Sequence, residues 1–480
     1  MSTAAGNGLG DVRPQMAEAT AGDQIVARLE RLPFTGFHLH MAATLGLGTF
    51  FAGFDLASMG VALTVVVVAL HVSGVMAGLL VSGGVLGGAI GAYVDAVLAE
   101  RLGRKTAFAV TLIVFGLLSA GSGLAWNFQS LLVFRVLQGI GLGGEVPIAA
   151  SLFMECVRGR DRGRLVLLYE SVYAWGLFLC PLVGAVVTAV LPVTISWRVL
   201  FLVGGIPLLV GVYALARLPE SPRWLVDKGR HAEAEQLVQR IEDSARRRGA
   251  HLEEPHVRVR ADVEPTRWLE VFAPGFRRRL VAAVALAVTF GATYIFYVGF
   301  IPTFLVRLGG LTASQSLTIV TVIGAVQLAL AYVIAFNIDR FGRMPMLRLG
   351  CGLGVVASLL GALMFGAVHQ TSWPVLVVIS LLIVICDLMC GYVSVLWIPE
   401  LFPTRMRVWG GSVAFSAQTL ASFVMPIVIG ALIGQPGGPV VVFAILAAVA
   451  FVALVLLMVF GVETKQRILE DVATASVPTV

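Results

Sequence analysis

Apolar stretches of about twenty residues recur along the chain, each closed off by a short polar segment. A helix rises about 1.5 Å per residue, so about 20 apolar residues cross a hydrocarbon core about 30 Å thick. Blocks at about 41–68, 73–97, 106–126, 130–152, 165–190, 198–217, 280–305, 312–336, 345–368, 374–398, 409–434 and 438–461 therefore predict twelve membrane-crossing helices. The stretches 375–386 and 440–462 hold no charged residue at all. One long polar insert, 218–278, separates the first six blocks from the last six. Within it, His231 to Arg247 places Glu, Arg, Ala and Leu at helical spacing, which predicts short soluble helices at the membrane surface. Residues 1–35 are polar, carry both charge signs and lack an apolar core, so they read as a tail and not a signal peptide. The tail ends in an amphipathic lead-in from Ile25 to Leu32. The expected organisation is an N-terminal tail (1–35), a six-helix half (36–217), a central loop (218–278), a second six-helix half (279–463) and a C-terminal tail (464–480).

Composition agrees with this pattern. Of 480 residues, 58% are hydrophobic and 13% charged, against about 25% charged in soluble domains. The 53 glycines suit close helix–helix approach in lipid. A net charge of +6 would suit a nucleic-acid partner, but the basic residues sit at the ends of the apolar blocks, where charge sets topology. With the N-terminus inside, Arg101, Arg104, Lys105, Arg158, Arg160, Arg162, Arg164, Arg340, Arg343, Arg348, Arg405 and Arg407 all fall on the cytoplasmic side, together with the long insert. Arg198 and Arg307 alone face the other way. The chain is thus expected in the cell (inner) membrane, multi-pass, with both termini cytoplasmic, the lipid bilayer around it and no nucleic-acid partner. The five cysteines, Cys156, Cys180, Cys351, Cys386 and Cys390, lack metal-type spacing and read as buried thiols.

An internal repeat divides the chain. Glu100-Arg101-Leu102-Gly103-Arg104 follows the second block, and Asp339-Arg340-Phe341-Gly342-Arg343 follows the eighth. Glu155 lies seven residues before Arg162, after the fourth block; Glu400 lies seven before Arg407, after the tenth. These pairs predict an all-α membrane protein of two pseudo-symmetric six-helix halves. Halves related by an axis along the membrane normal are a transporter design, with substrate held between them at mid-depth. No nucleophile–base pair, metal cluster or phosphate-cradling loop stands out in the sequence, so neither an enzyme nor a cofactor is expected.

The acid-Arg-x-Gly-Arg-Lys loop, with Glu100 where Asp is usual and Ala96 where Gly is usual, resembles the signature loop of the major facilitator superfamily. Three further stretches narrow the resemblance: Phe134-Arg135-Val136-Leu137-Gln138-Gly139 running on to Glu145, Leu167-Leu168-Tyr169-Glu170-Ser171, and Pro219-Glu220-Ser221-Pro222-Arg223-Trp224-Leu225. With Glu400-Leu401-Phe402-Pro403-Thr404 they look like the metabolite:proton symporter branch, which includes nicotinate permeases and neighbours aromatic-acid symporters and sugar porters. The likeness covers nearly the whole chain from about residue 33 and implies the major facilitator fold, for which a monomer suffices.

Several buried polar residues are candidates for the chemistry. Asp55 lies midway along the first helix, where a charge costs about 2.5–3.5 kcal/mol on insertion scales and normally faces a cavity or a partner. It is the expected proton carrier. The resemblance implies an acid–arginine pair with Arg135, whose guanidinium stays charged and can hold either Asp55 or a substrate carboxylate. Gln138 and Glu145 follow Arg135 on one helical face, Gln138 as a cavity residue and Glu145 as a helix-locking acid. Glu170 reads as a gate or packing acid. Asp387 is open between cavity lining and structural pairing. Tyr294 and Tyr297 offer aromatic faces and hydroxyls to a flat ligand, although packing is their plainer reading. Gln327 and Gln418 complete the substrate candidates. Glu100, Arg104, Glu155, Arg162, Asp339, Arg343, Glu400 and Arg407 are expected to form charge networks that hold the halves together on one side and release on the other.

The functional expectation is a proton-coupled symporter that imports a small organic anion, such as an aromatic acid or a nicotinate-like metabolite. Its partners are the small-molecule substrate and protons. A sugar or polyol porter and an efflux antiporter are the alternatives.

Overall fold

The computed structural model describes residues 20–247, 252, 254–255, 268–368, 372–402 and 406–464. The side chains of Arg162, Glu170 and Asp339 lie outside the described residues, as does Arg405. A short surface helix, α1 (Ala21–Glu30), opens the described chain. The first six spans follow as α2 (Gly36–Ala69), α3 (Gly74–Leu102), α4 (Arg104–Gly123), α5 with α6 (Phe128–Leu142, Glu145–Cys156), α7 (Gly159–Val190) and α8 with α9 (Val193–Val203, Pro207–Arg217). Two surface helices, α10 (Pro222–Asp227) and α11 (His231–Arg247), lead to the last six spans. These are α12 (Pro274–Arg307), α13 (Ala313–Phe341), α14 (Arg343–Leu363), α15 (Trp373–Glu400), α16 (Arg407–Leu432) and α17 (Gly438–Phe460). Among the described residues, twelve helical spans are long and apolar enough to cross a membrane.

Two of the differences from the expected blocks have identifiable local causes. The first span starts at Gly36, ahead of the apolar block at about 41, because His38, which interrupts the apolar run, is buried and bonded locally. The Thr35 N–H donates to Nδ1 of His38 at 3.1 Å, which leaves the other ring nitrogen to donate to the Cys156 carbonyl, also at 3.1 Å. The fourth span is two helices. It breaks at Gly143–Gly144, where the buried Asp95 of α3 accepts from the Gly144 N–H at 2.9 Å and caps α6.

Glycine sets the helix spacing inside the first half. A Cβ at Gly87 would lie 2.0 Å from the Val136 carbonyl oxygen, and one at Gly91 2.1 Å from that of Ile140, so α3 and α5 touch backbone to backbone. The same device joins the halves. A Cβ at Gly60 would meet the Val298 carbonyl oxygen at 2.0 Å, one at Gly74 that of Gly430 at 2.1 Å, and one at Gly78 that of Pro426 at 2.3 Å. These contacts, with Ser314 donating to the Ala185 carbonyl, close the bundle at the end away from α10 and α11.

At the other end α1, α10 and α11 form a small core of their own around Ile25, Leu29, Trp224, Leu237 and Ile241. Trp224 anchors it to the first half by donating to the Glu100 carbonyl at 3.1 Å, and Arg223 does so at the Glu155 carbonyl at 3.2 Å. Glu242 of α11 receives Arg28 at 2.9 Å and Arg31 at 2.7 Å. Burial works against its charge, but the two guanidiniums outweigh burial and hold its carboxyl below the ordinary glutamate range. A depressed carboxylate stabilises above its unfolded value, near the usual 4.5, and loses that contribution as pH falls through the folded value. Hydrogen exchange at α1 is therefore expected to accelerate on acidification below the usual glutamate range. Glu242→Gln should exchange fast already at neutral pH and respond little to acid.

Candidate functional site

The centre of the first half is built by α2, α5 and α3. Asp55 of α2 is 1% exposed, and three side chains converge on it. Arg135 Nη1 donates to both carboxylate oxygens, at 3.1 and 3.2 Å; Gln138 Nε2 donates at 2.7 Å; and the Ser58 hydroxyl lies 3.1 Å away. Helical spacing explains the convergence, since Arg135 and Gln138 are three apart on α5 and face α2 together. Arg135 also donates to the Gln138 side-chain oxygen at 2.9 Å, so the three residues form one network. Its guanidinium lies along Gly84, where a Cβ would come within 3.0 Å, and over the Phe201 ring at 5.8 Å. Its Nε has no hydrogen-bond partner among the described residues. A charge pair buried in hydrocarbon repays its desolvation only when its remaining polar atoms are also satisfied. Gln138 does that for Asp55, while the single Ser58 proton is drawn chiefly to the Asp55 main-chain carbonyl at 2.7 Å.

Further along the same helices, Glu145 heads α6 and receives the Thr49 hydroxyl at 3.3 Å, and Thr49 also bonds Tyr169. A Cβ at Gly48 would meet the Glu145 carboxylate at 2.7 Å, so this acid is wedged against α2. In the second half, Asp387 of α15 bonds the Thr293 hydroxyl on α12. Tyr294 is half-buried, its ring lies 5.2 Å from that of Phe290, and it faces Tyr173 of α7 across the halves. Tyr297 is buried, and Gln327 on α13 and Gln418 on α16 are half-buried. The structure thus brings Asp55, Arg135 and Gln138 into direct contact. It places Asp387 and Tyr297 in the packing of the second half, and Tyr294 on the seam.

The charged loops repeat in space. In the first half Arg104 pairs with Glu155 at 3.3 Å; in the second Arg343 pairs with Glu400, also at 3.3 Å. Both pairs lie within their own half. Arg407 donates to the Pro399 carbonyl at 3.1 Å. Each loop has a further acid that reading the charges alone passed over. Glu220 accepts from the Lys105 N–H at 3.0 Å, capping α4; Glu463 accepts from the Arg343 and Met344 N–H groups at 3.1 and 2.9 Å, capping α14. The signal was present as Glu220-Ser221 after the sixth span and Glu463-Thr464 after the twelfth. Burial pushes the Glu220 carboxyl above the ordinary glutamate range, against the pull of the backbone donors.

With this geometry in place, comparison with known proteins is decisive. The family described as sugar (and other) transporter matches residues 41–475. The chain belongs to this family. It is a membrane transporter of small metabolites within the major facilitator superfamily and not an enzyme. The niacin transporter NiaP of Acinetobacter baylyi is 30% identical over 451 residues, covering 93% of this chain and 99% of that protein. The inner membrane metabolite transport protein YdjE of Escherichia coli is 27% identical, covering 94% and 98%. Among solved structures, the inward-open xylose transporter XylE of E. coli superposes with a TM-score of 0.71 at 21% identity, covering 91% of this chain and 99% of that one, which establishes the shared fold.

Two stability measurements follow for this transporter. Arg135→Met strands the Asp55 charge and is expected to cost about 3–5 kcal/mol in detergent unfolding, with part recovered when Asp55→Asn is added. Full additivity of the two would contradict the pairing. Gly103 sits at φ +100°, and a Cβ there would lie 2.1 Å from the Glu220 carboxylate. Gly103→Ala should therefore lower stability by about 1–3 kcal/mol in the same assay.

Proposed function

We propose that this transporter is a proton-coupled symporter of the cell (inner) membrane, with both termini cytoplasmic, importing a small organic anion of the aromatic-acid or nicotinate type. The observation that carries the reading is the buried Asp55–Arg135 pair with Gln138. A proton on Asp55 cancels the charge that holds Nη1 of Arg135. The guanidinium, which does not deprotonate, then offers its donors to a substrate carboxylate in the fork geometry that suits it. The proton thus takes the place of Arg135 on Asp55 while the substrate carboxylate takes the place of Asp55 on Arg135, and coupling follows because neither a bare buried guanidinium nor two carboxylates on one guanidinium is favourable. Tyr173 and Tyr294, facing each other across the seam, supply aromatic faces and hydroxyls for a planar ring. The niacin transporter of A. baylyi, alike along nearly its whole length, supports the same substrate class.

With the basic loops on the cytoplasmic side, closure at the opposite end makes this arrangement inward-facing. The pairs Arg104–Glu155 and Arg343–Glu400, together with Glu100 and Arg407, then lie at the cytoplasmic end and supply the clasp that meets across the halves in the outward-facing state. Glu145 belongs to the helix contacts behind that clasp. Each transition is an exchange between two discrete packings, which is what alternating access requires. A sugar or polyol substrate is the second reading. It is favoured by the amides of Gln138, Gln327 and Gln418, which suit hydroxyl groups, and by the likeness to a xylose transporter.

Uptake of labelled nicotinate, benzoate and glucose into proteoliposomes under an inward proton gradient separates these readings. Acid uptake driven by the gradient is expected. Asp55→Asn, a mimic of the protonated carboxyl whose unpaired Arg135 the substrate itself compensates, should lose accumulation and keep exchange. Uptake of glucose alone would replace the anion reading with the sugar one.

A further inference from the structure

A second carboxyl is buried in the other half of the bundle. Asp387, midway along α15, is 2% exposed. A Cβ at Gly391, one turn further on, would meet the Phe290 ring at 2.6 Å, so this face of α15 turns toward α12. Oδ1 of Asp387 shares a hydrogen bond with the Thr293 hydroxyl, and Oδ2 has no hydrogen-bond partner among the described residues. Asp55 by contrast receives a guanidinium, an amide and a hydroxyl.

Counting protons shows which group donates. Thr293 has a single hydroxyl proton, and its oxygen lies 2.9 Å from the Thr289 carbonyl oxygen and 3.4 Å from that of Phe290. A threonine inside a helix commonly gives its proton to the carbonyl four residues back. The hydroxyl can give its one proton either to the Asp387 carboxylate or to Thr289, and when it goes to Thr289 the contact with Asp387 is a hydrogen bond because the carboxyl brings a proton of its own and donates it to the threonine oxygen. The surroundings agree. The titratable groups around Asp387 are the phenols of Tyr294 and Tyr297 on α12 and, on its own helix, the thiols of Cys386 and Cys390 and the phenol of Tyr392, which lies beside Tyr294. Behind them, α14 brings Cys351, whose sulfur lies 3.7 Å from that of Cys390. The charged groups described on the helices packed against α15 lie near their ends: Arg277, Arg278, Arg279 and Arg307 on α12, Arg340 on α13, Arg343 and Arg348 on α14, and Arg407 on α16. Tyr332 is the remaining titratable group described on α13. An ionised Asp387 would stand in hydrocarbon with one hydroxyl for company, which is far costlier than a neutral acid.

We infer that Asp387 and Thr293 form a second proton-binding site, in the second half, that loads and unloads once per transport cycle beside the Asp55–Arg135 site. The inference rests on the proton-coupled reading above. On unloading, the proton leaves through Oδ2 to water, and the Thr293 hydroxyl turns from the Thr289 carbonyl to donate to the carboxylate it leaves behind. Reloading reverses both movements. Thr293 is then a positioning residue, since one hydroxyl serves both protonation states.

Two measurements on the full-length protein test this. In proteoliposomes with the membrane potential clamped to zero, each coupled proton multiplies the limiting accumulation of labelled nicotinate about tenfold per pH unit of gradient. Asp387→Asn, isosteric with the neutral acid, is expected to lower that ratio about tenfold per pH unit and leave counterflow intact. An unchanged ratio overturns the proposal. Difference infrared spectra of the wild type should show the carbonyl stretch of a protonated carboxyl that bleaches as pH rises, shifts in Thr293→Val and is missing from Asp387→Asn. A band that never bleaches, or no band, overturns exchange at this site even if Asp387→Asn fails to reconstitute. Should the wild type accumulate nothing under a proton gradient, the coupling reading falls, and the infrared band still decides whether Asp387 holds an exchangeable proton.

Discussion

Hydrocarbon offers a charge no water, so every ionised group placed there must be answered by the protein itself. Asp55 is answered by Arg135, and much of the first half is arranged around that pairing. Gly84 leaves room for the guanidinium, Gln138 fills the remaining lone pair of the carboxylate, and Phe201 covers the cation. The backbone contacts of Gly87 and Gly91 bring α3 close enough to α5 for the pair to be sealed. A buried ion pair contributes little to stability beyond a well-packed apolar core. What it supplies is a site where one proton or one anion changes the balance of charge.

The two halves solve the same structural problem twice. In each, a glycine of positive φ turns the chain between two spans, at Gly103 and Gly342, and an arginine just after it reaches an acid on a neighbouring span. A glutamate from the end of that half then caps the next helix, Glu220 in one and Glu463 in the other. The chemistry, in contrast, is divided unequally. The first half has an ion pair supported by an amide, the second a carboxyl with one hydroxyl partner. Tyr173 and Tyr294 join the two across the seam.

Twelve spans were legible because charge-free runs of helical length have few other uses, and the pairing of loops six helices apart exposed the two halves. Asp55 with Arg135 was legible for a related reason: charges are scarce inside apolar blocks, so each has few possible partners. Less visible were features that depend on a single backbone group. The break at Gly143–Gly144 and its capping by Asp95 leave the hydrophobic pattern unchanged. Thr293 reads as one threonine among many until its oxygen is seen between Thr289 and Asp387. The start of the first span was misplaced because His38 is polar by type, although both of its nitrogens are spent on backbone partners.

If Arg135 exchanges Asp55 for a substrate carboxylate, binding of the anion must bring a proton onto the protein. The direct measurement is calorimetric titration of the purified transporter with nicotinate in buffers of differing ionisation enthalpy, which counts protons taken up per molecule bound. The account predicts proton uptake on binding by the wild type, and binding by Asp55→Asn with that uptake reduced by about one proton. Wild-type binding without proton uptake, or uptake undiminished in Asp55→Asn, would contradict it.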